Sequence, residues 1–427
     1  MLGRLLGLVA VMALVVWTAT PSHAQEALDR PLRVGVIVPA VGTGPGAALA
    51  AAVARAANEG AIITDEELRF NAELIDIDFA VVTAAASGAA QVVAAAKKLV
   101  ADEGAFAIVG GYSFAEASAL SQWSKSSGVP FMNVGSSADA LRNELCSTYT
   151  LHLEPSAAMY LDALVGWYVR SNFRQWYFVT EDSDEGRAQY ERIRWSMANR
   201  HFGARDVGRT VLKVGASGGT ALATAVRRAN ADVVVLLLSA ADQVRILGEL
   251  DSAGITAQVT GFPYPEAQTR VFFAAAASAA PRLGGGYRAT AFETTIDAYG
   301  AREYNARFQV RWNDPNEPTA WAIYHAVRIL YEAALFGGST AAADVRAYAL
   351  NPASVFDLHK GLGVSFRPWD QQLRQSLYLI KINSQATNPI DRGLLVGELP
   401  AIYLPGTGLI ERLDQLGDLA PQSRCKL

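Results

Sequence analysis

Two short turns in this chain carry the residue types that grip a small polar group without reacting with it. Gly110-Gly111-Tyr112-Ser113 and Gly135-Ser136-Ser137 each follow a short apolar run and precede other structured segments. Glycine lets backbone amides come close to a guest, and a helix starting there adds the partial positive charge of its unpaired N–H groups. Such turns can receive a carboxylate on their amides and on the hydroxyls of Ser113 and Ser137. Serines in these places also serve as ordinary N-caps, which need no ligand. A third segment is acidic, Glu181-Asp182-Ser183-Asp184-Glu185-Gly186. Glu181, Asp182, Asp184 and Glu185 offer the oxygen ligands of a hard cation. They lack the alternation and closing glutamate of an EF-hand loop, and acids also suit the first turn of any helix.

Catalytic arrangements are poorly represented. The histidines beyond residue 24, His152, His201, His325 and His359, include no pair at metal-ligand spacing. Gly215-Ala216-Ser217-Gly218-Gly219 is not the Gly-x-Ser-x-Gly turn that exposes a nucleophile. Gly42-Thr43-Gly44-Pro45-Gly46 lacks the third glycine of a dinucleotide loop and reads instead as the rim of a cleft. Trp167, Trp176, Trp312 and Trp321 suit a core or interface better than a ligand cage. The chain is expected to bind rather than to catalyse, and to need no cofactor.

The elements that must position these turns alternate along the chain. Apolar, strand-sized runs at 32–38, 72–82, 106–109 and 130–134 are separated by Ala-rich helical segments at 46–58, 89–101 and 114–126. The rhythm restarts with helix 157–170 and strand 176–180, continuing through strands 207–212, 232–238 and 258–261. Asp76 and Asp78 would share one side of the second strand. Repeated βα units of this length imply α/β architecture, with parallel sheets flanked by helices. A length of 427 residues exceeds a single core, so two lobes joined by a hinge are expected. The first would comprise 25–150 plus about 284–345, including long helices at 293–312 and 318–336. The second would comprise 151–283 plus about 346–383, closing with an antiparallel pair of 364–367 and 376–382. Residues 384–427 would form a Pro- and Gly-punctuated C-terminal extension. In open α/β sheets ligands sit beyond the carboxyl ends of the strands. The turns after Val109, Val134, Thr180, Leu238 (with Ser239) and Gly261 should therefore face one crevice.

Residues 1–24 have the layout of a signal peptide: Arg4, a short apolar run, and Ser22-His23-Ala24 before a cut at Gln25. The run is too short for a comfortable membrane span, so no membrane insertion is expected after cleavage. Loss of Arg4 would take the formal net charge from −4 to −5, which argues against nucleic acid or an anionic membrane surface as partner. An exported protein with only Cys146 and Cys425 suggests a disulfide that ties down the C-terminal end.

In order and content, five stretches resemble type I periplasmic solute-binding proteins of ABC transporters, in particular the branched-chain amino-acid class. They are LRVGVIVPAVGTGPGAA from Leu32, AAAKKLVADEGAFAIVGGYS from Ala94, SGVPFMNVGSS from Ser127, ADVVVLLLSAADQVRILGELDSAG from Ala231 and KGLGVSFR from Lys360. Within that class the chain is similar to the branch associated with pyrroloquinoline-quinone (PQQ)-dependent alcohol dehydrogenase systems, favoured by its long C-terminal segment and its atypical cleft residues. The resemblance implies a periplasmic protein that closes by a hinge on a small solute and delivers it to an ABC permease in the inner membrane. It implies that Ser113, Gly135 and Ser137 hold the ligand's polar groups, with Tyr112 and Ser136 beside them. The second half departs from the family, with Glu185 where an aromatic residue usually precedes the glycine and Ser239-Ala240 where another is expected. Asp184, Glu185 and Ser239 are then the expected second-lobe contacts. Two alternatives stay open: a metal-ion or metal-complex ligand such as a lanthanide, and a periplasmic sensor or scaffold partner.

Overall fold

The computed structural model describes residues 31–401 and 405–427; the expected signal peptide and its cleavage after Ala24 lie outside the described residues. The fold is two-lobed α/β. In the first lobe, β1 (Leu32–Val38), α1 (Ala47–Glu73), β2 (Phe79–Ala85), α2 (Ala89–Glu103), β3 (Ala107–Gly110), α3 (Phe114–Ser127), β4 (Phe131–Asn133) and β5 (Thr150–His152) build a parallel sheet in the order β2-β1-β3-β4-β5. In the second, α4 (Ala157–Arg170), β6 (Gln175–Glu181), α5 (Asp184–Asn199), β7 (Arg205–Leu212), α6 (Gly219–Arg228), β8 (Val233–Leu237), α7 (Ala240–Ser252) and β9 (Gln258–Gly261) give the parallel order β7-β6-β8-β9. Strands β3 and β8 are buried throughout, as a sheet covered on both faces requires, which explains their unbroken β-branched and leucine runs.

The remaining elements are α8 (Arg270–Ala279), β10 (Tyr287–Thr290), α9 (Ala301–Trp312), α10 (Pro318–Gly337), α11 (Ala342–Leu350), β11 (Phe356–Asp357), β12 (Gly363–Val364), β13 (Leu377–Ile382), β14 (Gly393–Leu399) and the short α12 (Leu409–Leu413). Helices α9 and α10 return to the first lobe. Arg307 and Arg311 of α9 pair with Glu67 and Glu66 of α1, and the Tyr324 hydroxyl of α10 donates to Glu67 at 2.6 Å.

Several boundaries differ from the sequence reading. Helix α1 runs on to Glu73 because its buried residues Gly60, Ile63, Thr64, Leu68 and Ala72 keep the helical period. Asp76 then takes a left-handed turn, and Asp78 precedes β2 and pairs with Arg33 at 2.6 Å, so neither is a strand residue facing the cleft. The expected pairing of 364–367 with 376–382 is replaced by β11–β12 and by an antiparallel sheet β10-β13-β14. Strand β14 lies in the segment read as an irregular tail. The lobe boundaries move accordingly. Strand β10 stays with the second lobe, where the Tyr287 carbonyl accepts from Thr260 at 2.7 Å and Tyr168 at 3.0 Å. Residues 346–375 stay with the first: Trp321 donates to the Leu358 carbonyl, and Leu373 and Gln371 exchange backbone hydrogen bonds with His152. These limits follow from pairings between distant segments, which no local pattern reports.

Polar side chains buried where the chain passes between lobes hold the crossings together. Arg142 donates to the Glu154 carbonyl at 2.6 Å, and Gln372 and Gln375 donate to the carbonyls of Glu154 and Leu153. Tyr160 donates to the Glu154 carboxylate at 2.9 Å, and Gln268 donates to Tyr160 at 3.2 Å. Burial pushes the Glu154 carboxyl up to about 8, against the opposing pull of Tyr160 and Arg142. The folded protein thus keeps a proton that the unfolded chain releases near its ordinary 4.5, so Glu154 lowers stability as pH rises from about 4.5 to about 8. Glu154→Gln is expected to gain stability relative to the parent over that window. Urea denaturation of both proteins at about pH 5 and about pH 8 checks this, and a variant that loses ground at the higher pH contradicts it.

Cys146 and Cys425 form a disulfide with Cα atoms 5.6 Å apart, bringing the C-terminal segment back to the first lobe. Among the described residues no helix is long and apolar enough to cross a membrane.

Candidate functional site

The carboxyl ends of β1, β3 and β4 face those of β6, β8 and β9 across a cleft of about 480 Å³. This is where open parallel sheets place ligands, because helix N-termini and flexible turns gather there. Tyr112, Ser113, Gly135, Ser136, Ser137, Glu185 and Ser239 all line it, together with Glu181. At one edge the lobes nearly touch: Gly46, with φ 86° at the start of α1, leaves room where a methyl group would lie 3.3 Å from the Ala241 Cβ of α7.

Local chemistry explains the first-lobe wall. Ser113 has extended backbone and caps α3, its Oγ accepting the Glu116 amide at 3.3 Å. The Glu116 carboxylate folds back to accept the amides of Gly88 at 2.8 Å and Tyr112 at 3.1 Å. The Tyr112 amide, expected to serve a ligand, is therefore already engaged. Its hydroxyl is not: the oxygen is buried without a hydrogen-bond partner, and burial, with the nearby Glu116 charge, drives its pKa upward. At the neighbouring turn Asn133 plays the same part as Glu116. Its Oδ1 accepts Gly135 N at 3.4 Å and Ser136 N at 3.0 Å, and its Nδ2 donates to the Ser136 carbonyl at 2.7 Å. Ser136 and Ser137 are only 4% and 6% exposed. Gly135 must be glycine, since a Cβ would lie 2.8 Å from the Tyr112 Cα.

The second-lobe wall comes from the ends of β6, β8 and β9. Ser239 caps α7, accepting the Asp242 amide at 3.3 Å. Glu185 sits in the first turn of α5, whose cap is Ser183. Its carboxyl is raised, first by burial and further by Glu181 and Glu266, with a hydrogen bond from Tyr264 opposing. Gln189 donates to the Tyr264 hydroxyl at 2.8 Å. Burial also raises Glu266, with Glu116 adding repulsion.

The acidic segment does not act as one cluster. Helix α5 begins at Asp184, so the four carboxylates fan around a strand end and a helical turn. Glu181 and Glu185 face the cleft, whereas Asp182 is outside its wall and Asp184, with a side chain 97% exposed, pairs with Arg187. Asp184 lines an adjoining cavity of about 680 Å³ with Arg192 and Trp195, which shares Phe114 and Glu185 with the cleft. The expectation of a ligand contact from Asp184 in the cleft is corrected. So is that of a metal set from Glu181, Asp182, Asp184 and Glu185: among the described residues no group of three or more His, Cys, Asp or Glu is placed to hold a metal ion.

The cleft also contains Thr43, from the segment read as its rim, and residues that spacing did not single out: Phe114, Tyr264 and Glu266. The run Phe262-Pro263-Tyr264-Pro265-Glu266 was the available signal, since it directly follows Gly261 at a strand end. Among the described residues the wall holds no lysine, arginine, histidine or cysteine. What these side chains can do is bind a small molecule through hydroxyls, carboxylates and ring faces.

A model of the periplasmic binding protein family matches residues 31–387. Among solved structures, the chain is similar to a branched-chain amino-acid ABC transporter periplasmic ligand-binding protein from Burkholderia xenovorans, with TM-score 0.79, 16% identity and coverage of 92% of this chain and 99% of that one. It is also similar to an ABC transporter solute-binding protein from R. palustris in complex with benzoate, with TM-score 0.70, 14% identity and coverage of 93% and 100%. The leucine-binding protein of Thermotoga maritima gives TM-score 0.69 at 13% identity, with coverage of 86% and 98%. No curated protein sequence matches.

Proposed function

We propose that this chain, which belongs to the periplasmic binding protein family, is the solute-binding component of an ABC transport system and takes one small solute between its lobes. The observation that carries this reading is the cleft in which the ends of strands from both sheets meet. A solute touching Ser113 and Ser137 on one wall and Glu185, Ser239 and Tyr264 on the other favours the closed arrangement by its contacts to both. An inner-membrane permease would then recognise that closed form, and family membership implies the periplasm as the place of action. The finer assignment, to the branch linked to PQQ-dependent alcohol oxidation, is supported by the C-terminal segment beyond the matched residues and by Glu185 and Ser239 in the second lobe.

Small-angle scattering during solute titration tests the hinge: a bound solute is expected to compact the protein, and a solute that binds without compaction refutes closure. Ser137→Ala, which removes one buried hydroxyl from the wall, is expected to weaken binding by about 3–10-fold without lowering the melting temperature. Unchanged affinity measured by calorimetry would remove Ser137 from the site.

A further inference from the structure

We infer that the solute is an organic cation without a free carboxylate, held by acid side chains and aromatic faces; this rests on the solute-binding reading above. Among the described residues the cleft wall contains three carboxylates, Glu181, Glu185 and Glu266, and no basic side chain. It also contains three aromatic rings, Tyr112, Phe114 and Tyr264. Carboxylates supply the charge that attracts a cation, and ring faces attract it further through their quadrupole. An anion entering the same space would meet uncompensated repulsion from all three acids in a medium less polar than water.

The features that would favour an anion are already answered by the protein itself. Glu116 occupies the amides of Gly88 and Tyr112, and Asn133 occupies those of Gly135 and Ser136. Of the helices that open onto the cleft, α3, α5 and α7 carry their own acids in the first turn: Glu116, Asp184 with Glu185, and Asp242. Their dipoles are thereby met before any ligand arrives. Only α1 begins without one.

A point-charge metal ion fits less well than an extended organic cation. The acids come from two different strand ends rather than one shell, and no group of three ligating side chains is gathered among the described residues. Tyr112, one residue of the same wall, keeps a buried hydroxyl without a hydrogen-bond partner. A protonated amine carries several donors and can serve more than one acceptor at once. The raised carboxyls of Glu185 and Glu266 have the same origin, burial beside like charge, and a bound cation relieves it.

The test is a matched pair of probes with the same ring and opposite charge, benzylammonium and benzoate, titrated calorimetrically into the full-length protein, with leucine as a zwitterion. Benzylammonium is expected to bind at least about tenfold tighter than benzoate, and to weaken as ionic strength rises. Glu185→Gln and Glu266→Gln, which keep side-chain shape, are each expected to cut that preference by about tenfold or more. The salt series on the parent protein needs no variant, so it stands even where a substitution impairs folding. Equal or tighter binding of benzoate or leucine, or a preference untouched by both glutamine variants, overturns the inference. If benzoate or leucine compacts the protein while binding as tightly as benzylammonium or tighter, the charge assignment fails while the solute-binding reading survives. If no solute of any charge compacts the protein, both fail.

Discussion

Asp162→Ala is expected to lower the unfolding free energy by about 3–5 kcal/mol, the range for removing one partner of a buried ion pair. The Asp162 side chain is 0% exposed. It accepts from Arg192 of α5 and from Arg200, just past the end of that helix, at 2.6 Å each, from the Ser196 hydroxyl at 2.6 Å, and from the Gly417 amide at 3.0 Å. One carboxylate of α4 thus pairs with two guanidinium groups, one in α5 and one just beyond it, and anchors the C-terminal segment. Without it both arginines keep their charge in a poorly solvated place and a backbone amide loses its acceptor. Urea denaturation measures the loss. A change below about 1 kcal/mol would show that the pocket hydrates freely and that the buried pairing is not what holds it. Arg192→Met added to Asp162→Ala is expected to recover part of the loss, because the variants share one network and should not be additive.

The second large effect concerns the disulfide. Changing both Cys146 and Cys425 to serine is expected to cost about 2–5 kcal/mol, because the bond closes a loop between residues 279 apart in sequence and so restricts the unfolded chain. The folded state adds its own share. The segment 405–427 runs from the second lobe, where Arg200 donates to the Gln415 carbonyl and Arg192 pairs with Asp418 at 3.6 Å, to the first, where the Arg424 amide donates to Asn143. Just before these contacts, Asp414 accepts from Arg367 and Arg374 of the first lobe, each at 2.9 Å. The disulfide fastens the far end of this strap. Thermal unfolding of the parent with and without a thiol reductant is expected to reproduce the cost, and the double-serine protein should not respond to the reductant. A parent insensitive to complete reduction would contradict the argument.

Much of the site was legible because its signals are local. Small and hydroxyl residues at the end of an apolar run mark a turn at a strand's carboxyl end, so Ser113, Gly135, Ser136, Ser137 and Ser239 could be named from their places after such runs and from the family resemblance, and all line the cleft. Asp184 and Glu185 show where that reasoning stops. They are adjacent in sequence, yet Glu185 lines the cleft while Asp184, its side chain 97% exposed, does not, because successive helical residues point about 100° apart. Glu266 and Tyr264 follow a strand end that was expected at the crevice, but only tertiary packing sets them beside Glu185.

By itself, the sequence determined the alternating α/β architecture, the duplication into two lobes and the positions of the strand-end turns, since each depends on hydrophobic period and turn chemistry within a few residues. Only the tertiary structure decided where each lobe ends, that β13 pairs with β10 and β14, that Glu116 and Asn133 consume the turn amides, and that the cleft's charge is negative. Those outcomes rest on contacts between residues far apart along the chain, whose free energies are settled by packing and burial rather than by any neighbour in sequence.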